Sequence, residues 1–474
     1  MPPVIALLLA CLLLPRPLAD GVDQQLHRSE LKGARLAVCV VDVESGERLY
    51  ARDIDAPMAP ASNMKLVTTA AALSLLGADH AFATRLLAAD APDAHGTLAG
   101  DLVVLGGADP CLREDLLARE GVDDPAGLLA DLLEAAGVRR IDGRLVLDDG
   151  LLDRQWLNPD WKGGDIGSDY AAPIGALSLH GNCLQLQVQG GPPRATLATR
   201  AQGFEVLDEL TAASAPRTYD VGALRPDATG LVRVKGSIGA AITPQIVRVP
   251  VVDPAAFFGQ CLLAELQQRG IAVRDGFVVE AAAAARAPHE LARLESPLVN
   301  AVLIACKESD NGMADHIFKY LGALRGGEGS FAGGQRAVLG FVRDGAGSPV
   351  DGVVLRDGSG LSANNRVTAR LVTDVLCSMA RRHDAAGTAF LRSLPVAGLD
   401  GSLRDRMQEL PLQGAVRAKT GYISGVSCLS GFAQTQNGRL LAFSVLINDF
   451  DPRYGNRQMK AIQDDFCRAL VTQH

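Results

Sequence analysis

The chain changes texture twice, and those changes limit what it can fold into. Arg35 to Val43 reads as a strand, Glu44-Ser45-Gly46 as a turn, and Arg48 to Ala51 as the returning strand of a hairpin. Leu66 to Leu76 is apolar, alanine-rich and closed by Gly77, the pattern of a buried helix. Between about residues 95 and 250 the pattern shortens. Strand-like runs at Asp101–Leu105, Arg144–Leu147, Leu184–Val188 and Leu231–Val234 alternate with Gly, Pro and Asp clusters, and one helix, Pro125–Ala136, interrupts them. From Pro254 a helical period returns through Pro254–Arg269, Pro297–Lys307 and Asn311–Leu321. Val426–Thr435 and Arg439–Ile447 then flank Gln436-Asn437-Gly438, a hairpin signal, and Gln458–Val471 reads as a helix packed on that sheet. Two α/β ends therefore enclose a β-rich insert of one lobe or two.

At ~100–200 residues per domain, 474 residues allow two to four domains, and 48% hydrophobic residues supply a large core. The formal charge of −8 removes the attraction behind most nonspecific nucleic-acid binding, so no nucleic-acid partner is expected. Ile5 to Leu14 is an apolar run followed by Pro15-Arg16-Pro17-Leu18-Ala19. It reads as a secretory signal peptide over residues 1–19, although no Lys or Arg precedes the run. Leu8-Leu9-Ala10-Cys11 also resembles a lipoprotein cleavage site. The expected location is exported, in the periplasm or cell envelope. The other eight cysteines are scattered, without a C-x-x-C pair, and read mostly as buried structural thiols. The eight histidines show no metal spacing, so no metal is expected, and the activity that the motifs below imply needs no cofactor.

Ser62-Asn63-Met64-Lys65 opens the first long helix. At i, i+3 a Ser hydroxyl and a Lys amine share one helix face, and the helix N-terminus favours a developing alkoxide. Serine is a poor nucleophile until a base takes its proton, and a desolvated lysine can be that base. Alone, the pattern reads more readily as an N-cap serine beside a solvated lysine. Two further motifs follow in order: Ser309-Asp310-Asn311 between two helical segments, and Lys419-Thr420-Gly421 on a late strand. The ordered set is the combination used by penicillin-binding proteins and class A β-lactamases.

At these residues the chain resembles the serine penicillin-recognising enzymes. More narrowly, it resembles the low-molecular-mass penicillin-binding protein group of D-alanyl-D-alanine carboxypeptidases/endopeptidases with a large insert. About half the chain separates Ser62 from Ser309, far more than in a β-lactamase. Pro60-Ala61-Ser62, Asp357-Gly358-Ser359-Gly360-Leu361-Ser362, Leu394-Pro395-Val396-Ala397-Gly398 and Leu429-Ser430-Gly431-Phe432 match that group too. The resemblance implies an α/β (α+β) fold. Its transpeptidase-like domain, an antiparallel sheet flanked by helices, would take residues 20–90 and 255–474, with the insert at 91–254. It also implies roles: Ser62 as acylated nucleophile, Lys65 as its base, Ser309 as proton relay, and Asn311 as holder of Lys65 and the substrate amide. Lys419 would keep Lys65 neutral and, with Thr420, bind the terminal carboxylate, while Gly421 lets substrate lie along the strand. Backbone N–H groups of Ser62 and Tyr422 would form the oxyanion hole. Tyr422 stands where Thr or Ser usually follows, which keeps the backbone donor and puts any hydroxyl contact to the carboxylate in doubt. Asp148 would face the substrate's amino side-chain end or serve as a plain turn carboxylate, and the Asp357–Ser362 loop is expected to be structural.

The implied activity is an exported serine D,D-carboxypeptidase and D,D-endopeptidase acting on peptidoglycan peptides, with β-lactams as covalent inhibitors. Alternatives are a β-lactam hydrolase, for which no deacylating Glu can be placed, and a catalytically dead wall-binding homologue. The oligomeric state is not legible.

Overall fold

The computed structural model describes residues 18–117, 121–122 and 124–472, so Cys11 and all but the last two residues of the expected signal peptide lie outside the described residues. The two ends of the chain build one antiparallel sheet, in the order Val416–Ile423, Val426–Gln434, Leu440–Asn448, Arg35–Asp42, Arg48–Arg52. Arg35–Asp42 is buried at every position after Arg35 because both of its faces are covered. Ala37, Cys39 and Val41 enter the core around the helix Met64–Leu76. Leu36, Val38 and Val40 enter a second core under the helix Asn456–Thr472. The alternation of strand side chains thus feeds two layers from one strand. The Met64–Leu76 helix is apolar almost all round and runs through the middle of the larger core, as a helix without a polar face must.

The insert is built on a mixed sheet in the order Phe277–Val279, Leu145–Asp148, Leu102–Leu105, Ala81–Ala88, His289–Pro297, with three small three-stranded sheets beyond it. Its outer pair, Ala81–Ala88 and His289–Pro297, lies outside the expected bounds 91–254 and runs antiparallel. The amide of Leu298 then donates to His80 O at 2.9 Å. The chain leaves and returns through one hydrogen-bonded neck, so a large insertion does not part the flanking helices. The helix Pro254–Gln268 also differs from expectation. Phe257, Phe258 and Leu262 bury against the insert's sheet beside the helix Pro125–Ala135, not against the terminal sheet.

The eight described cysteines are all free and buried. No helix among the described residues is long and apolar enough to cross a membrane.

One close approach anchors the site to this frame. Gly360 has φ 84°, and a Cβ there would fall 1.8 Å from Ala61 O, so only glycine lets this loop lie against the Ser62 turn. Gly360→Ala should therefore cost at least ~2 kcal/mol in urea unfolding. A matched Gly100→Ala, where nothing lies within 4 Å, should stay within ~0.5 kcal/mol of wild type.

Candidate active site

Ser62 lies in a short 3₁₀ turn, Ala61–Asn63, that runs directly into the helix Met64–Leu76. One helical step on, Lys65 is fully buried and its Nζ lies 3.0 Å from Ser62 Oγ. The turn is held down from both sides. Ala61 sits at φ 45°, a left-handed conformation costing ~1–2 kcal/mol, and Asn63 Nδ2 donates to Lys419 O at 2.9 Å. A Cβ on Gly421 would come 2.8 Å from Pro60 O and 3.1 Å from Ser62 N. Glycine is what allows the edge strand to pass this close to the serine.

Lys65 Nζ has two more partners, Asn311 Oδ1 at 2.7 Å and Ser359 O at 2.8 Å. Both are carbonyl oxygens, which only accept. A neutral amine must therefore spend its two N–H groups on them, and its lone pair is left facing the Ser62 hydroxyl. That arrangement suits proton removal from Ser62. Ser359 belongs to the loop read from sequence as structural, and its carbonyl carries no side-chain signal. The Asp357 carboxylate shapes that loop by accepting from Gly360 N, Ser362 N, Asn365 Nδ2 and Trp161 Nε1.

Ser309 has φ 60°, a strained conformation that turns the chain into the helix Asn311–Arg325. Asp310 caps this helix through Met313 N at 2.9 Å and pairs with Arg113 Nη1 at 2.6 Å. Lys419 Nζ donates to Ser309 Oγ and to Thr420 O, both at 2.9 Å. Ser62, Lys65 and Asn311 thus form one hydrogen-bonded group and Ser309 with Lys419 a second, and the Asn63 side chain ties the Ser62 turn to the Lys419 strand. Strand alternation places the remaining donors: Ala418 N–H points out of the sheet to Pro395 O, so the N–H groups of Thr420 and Tyr422 face the same open edge. Tyr422 is 50% exposed there.

Three further contacts have no counterpart in the sequence motifs. Thr420 Oγ1 donates to Ser402 Oγ at 2.9 Å, Asn311 Nδ2 donates to Tyr170 O at 3.0 Å, and Ser359 O holds Lys65 as above. Ser402 sits in a glycine turn and Tyr170 comes from the insert, so neither shares a local pattern with the motif it meets. A cavity of about 240 Å³ adjoins Ser309 and Asn311, lined also by Arg113, Tyr170, Arg248 and His316. Asp148 does not join this set. Its carboxylate accepts from the amides of Gly150, Ala282 and Ala284, holding a turn of the insert, and it lines a different cavity. Among the described residues no group of three or more His, Cys, Asp or Glu could hold a metal ion.

Burial dominates the electrostatics. It pulls Lys65 down to about 8, against the opposing pull of Asp315, Asp357 and Asp310. It pulls Lys419 down to about 7, helped by the charge of Lys65. Desolvation, already expected of a base lysine, carries the shift of Lys65, and the expected repulsion between the two lysines falls on Lys419. For a lysine whose pKa is lowered on folding, the unfolded chain binds the extra proton between about pH 7 and ~10.4. Lys419 therefore costs the fold most at or below pH 7, and the cost fades as pH rises to ~10. Lys419→Met removes it. The stability difference between variant and wild type should shrink from pH 7 to 10, by up to ~1.4 kcal/mol per pH unit, in urea melts at matched ionic strength.

Similarity to known proteins runs over most of the chain. Residues 18–467 match the family described as D-Ala-D-Ala carboxypeptidase 3 (S13). A D-alanyl-D-alanine carboxypeptidase of Actinomadura sp. (strain R39) is 36% identical over 459 residues, covering 91% of this chain and 81% of that protein. The D-alanyl-D-alanine carboxypeptidase DacB of Haemophilus influenzae is 27% identical over 401 residues, covering 83% of this chain and 81% of its own. The crystal structure of penicillin binding protein 4 from Haemophilus influenzae superposes with a TM-score of 0.78 at 24% identity, covering 95% of this chain and 98% of that one. That protein has also been solved in complex with a β-lactam, with a TM-score of 0.75 to this chain. The α/β fold with its antiparallel sheet and flanking helices is the one the motifs implied, and the chain belongs to the D-Ala-D-Ala carboxypeptidase 3 (S13) family.

Proposed function

We propose that this protein is an exported serine D,D-carboxypeptidase that also cleaves D,D cross-links in peptidoglycan, through an acyl-enzyme on Ser62. The observation that carries the reading is the pair of carbonyl acceptors on Lys65 Nζ, Asn311 Oδ1 and Ser359 O, which leaves the lone pair of a neutral amine one direction, toward the Ser62 hydroxyl. Lys65 takes the Ser62 proton as Oγ attacks the carbonyl carbon of the penultimate D-alanine. The oxyanion lies between the amides of Ser62 and Tyr422, a pair of donors typically worth ~3–4 kcal/mol each. On collapse the C–N bond breaks, and the proton passes from Lys65 through Ser309 Oγ to the leaving amine. Water then hydrolyses the ester, with Lys65 again as base. Lys419 and Thr420 hold the terminal carboxylate, and Asn311 the substrate amide.

The exposed edge beside Tyr422 supports endopeptidase action, because a leaving group longer than one D-alanine can extend into solvent there. The apolar run Ile5 to Leu14 supports export to the periplasm or cell envelope. β-Lactams would acylate Ser62 as substrate mimics.

A defined cross-linked muropeptide, with products weighed by mass spectrometry, tests both activities. Wild type should release D-alanine and split the dimer. Ser62→Ala should lower both rates at least ~10³-fold while costing no more than ~1 kcal/mol of stability. Turnover by the variant at the wild-type rate would refute the nucleophile assignment.

A further inference from the structure

Asp315 lies one turn beyond Asn311 on the helix Asn311–Arg325 and is fully buried beneath the cleft. Its Oδ1 accepts from Gly358 N at 2.7 Å and from Ser359 N at 2.9 Å. The carbonyls of the same two residues face the first helix, Ser359 O accepting from Lys65 Nζ and Gly358 O from Thr68 Oγ1, both at 2.8 Å. Asp315 is therefore one residue's backbone away from Lys65. Its other oxygen, Oδ2, is buried with no hydrogen-bond partner. An ionised carboxylate left half-satisfied in the interior is costly, and a nearby ammonium is what can offset it.

The proposed proton step uses Lys65 and leaves this acid without a task. Resting on that reading, we propose that Asp315 is a positioning residue for Lys65: it fixes the Ser359 carbonyl that orients the amine, and its charge sets the pH at which the amine becomes free to take a proton.

The groups facing it are few. Lys65 stands across Ser359, Asp357 lies in the loop above, and Lys319 is one turn along the same helix, already engaged by Asp153 at 2.6 Å. Asp310 and Lys419 act on the pair through Lys65. Burial and the Asp357 charge push the Asp315 carboxyl up to about 8, into the range where Lys65 titrates, so the two lose their protons as a pair. An ionised Asp315 holds the Lys65 proton on. Removing that charge should release the proton at lower pH.

Asp315→Asn keeps an oxygen to accept from the two loop amides and removes the charge. Asp315→Ala removes both. Acylation rates with a fluorescent penicillin across pH, for wild type and both variants, separate the two roles. In Asp315→Asn the ascending limb should move to lower pH by about one unit, with a plateau within ~3-fold of wild type. In Asp315→Ala the limb should move the same way, and the plateau should fall at least ~10-fold as the Ser359 carbonyl is freed. The Lys65 Cε resonance in protein carrying ¹³C-lysine gives a readout that needs no turnover. In wild type it should titrate in two steps, and in Asp315→Asn in one step at lower pH. A single step in wild type, or an unmoved limb and resonance in Asp315→Asn, would overturn the proposal. A wild type that titrates in two steps but is never acylated would support the coupling and refute the serine-peptidase reading instead.

Discussion

The cleft is organised around one buried nitrogen atom. Lys65 Nζ is held by Ser62 Oγ, Asn311 Oδ1 and Ser359 O, three oxygens that come from opposite halves of the chain. A fully buried amine is tolerable only where every donor it carries is satisfied. That demand reaches well beyond the cleft. The Ser62 turn must meet the helix start, the glycine loop must lie against the turn, and the chain must return from a long insert within reach. The antiparallel neck, closed at His80 and Leu298, meets the last condition, because the helix it opens leads straight to Ser309 and Asn311.

Lys419 adds a second buried amine to the same site, donating to Ser309 Oγ. Burial lowers both amines, and their proximity keeps the two charges from coexisting cheaply. The acids Asp310, Asp315 and Asp357 work against this on Lys65. In the proposed mechanism, proton transfer at neutral pH depends on a balance: enough desolvation to free the base, and enough negative charge to keep the fold from rejecting it. Close backbone approach supplies the rest. Gly360 and Gly421 let a loop and a strand pack against the serine turn at distances a side chain would forbid.

Much of this was legible in the sequence, for local reasons. Helix and strand periods are properties of short windows, and so the first hairpin, the Met64–Leu76 helix and the Asn437-Gly438 turn are readable from composition and spacing. The Ser62 and Ser309 motifs lie at helix starts and the Lys419 motif lies within an edge strand, so each is carried by an element readable from its own window. What escaped the sequence acts through backbone atoms or across long separations. Ser359 contributes a carbonyl, which any residue owns. Ser402 meets Thr420 from a separate turn, and Tyr170 reaches Asn311 from the insert. Pro254–Gln268 has the texture of a terminal-domain helix but packs on the insert, because apolar periodicity fixes which face is buried and not what buries it. Asp148 has the residue type of a substrate contact, yet three backbone amides occupy its carboxylate.

The central claim is that the Lys65 geometry makes Ser62 the nucleophile. Its most direct test is to treat the native protein with a slowly hydrolysed penicillin, quench, digest and sequence the modified peptide by tandem mass spectrometry. The account predicts a single adduct of intact penicilloyl mass, located on the Ser62 hydroxyl. An adduct on another residue, or no adduct under conditions where the protein is folded, would contradict it.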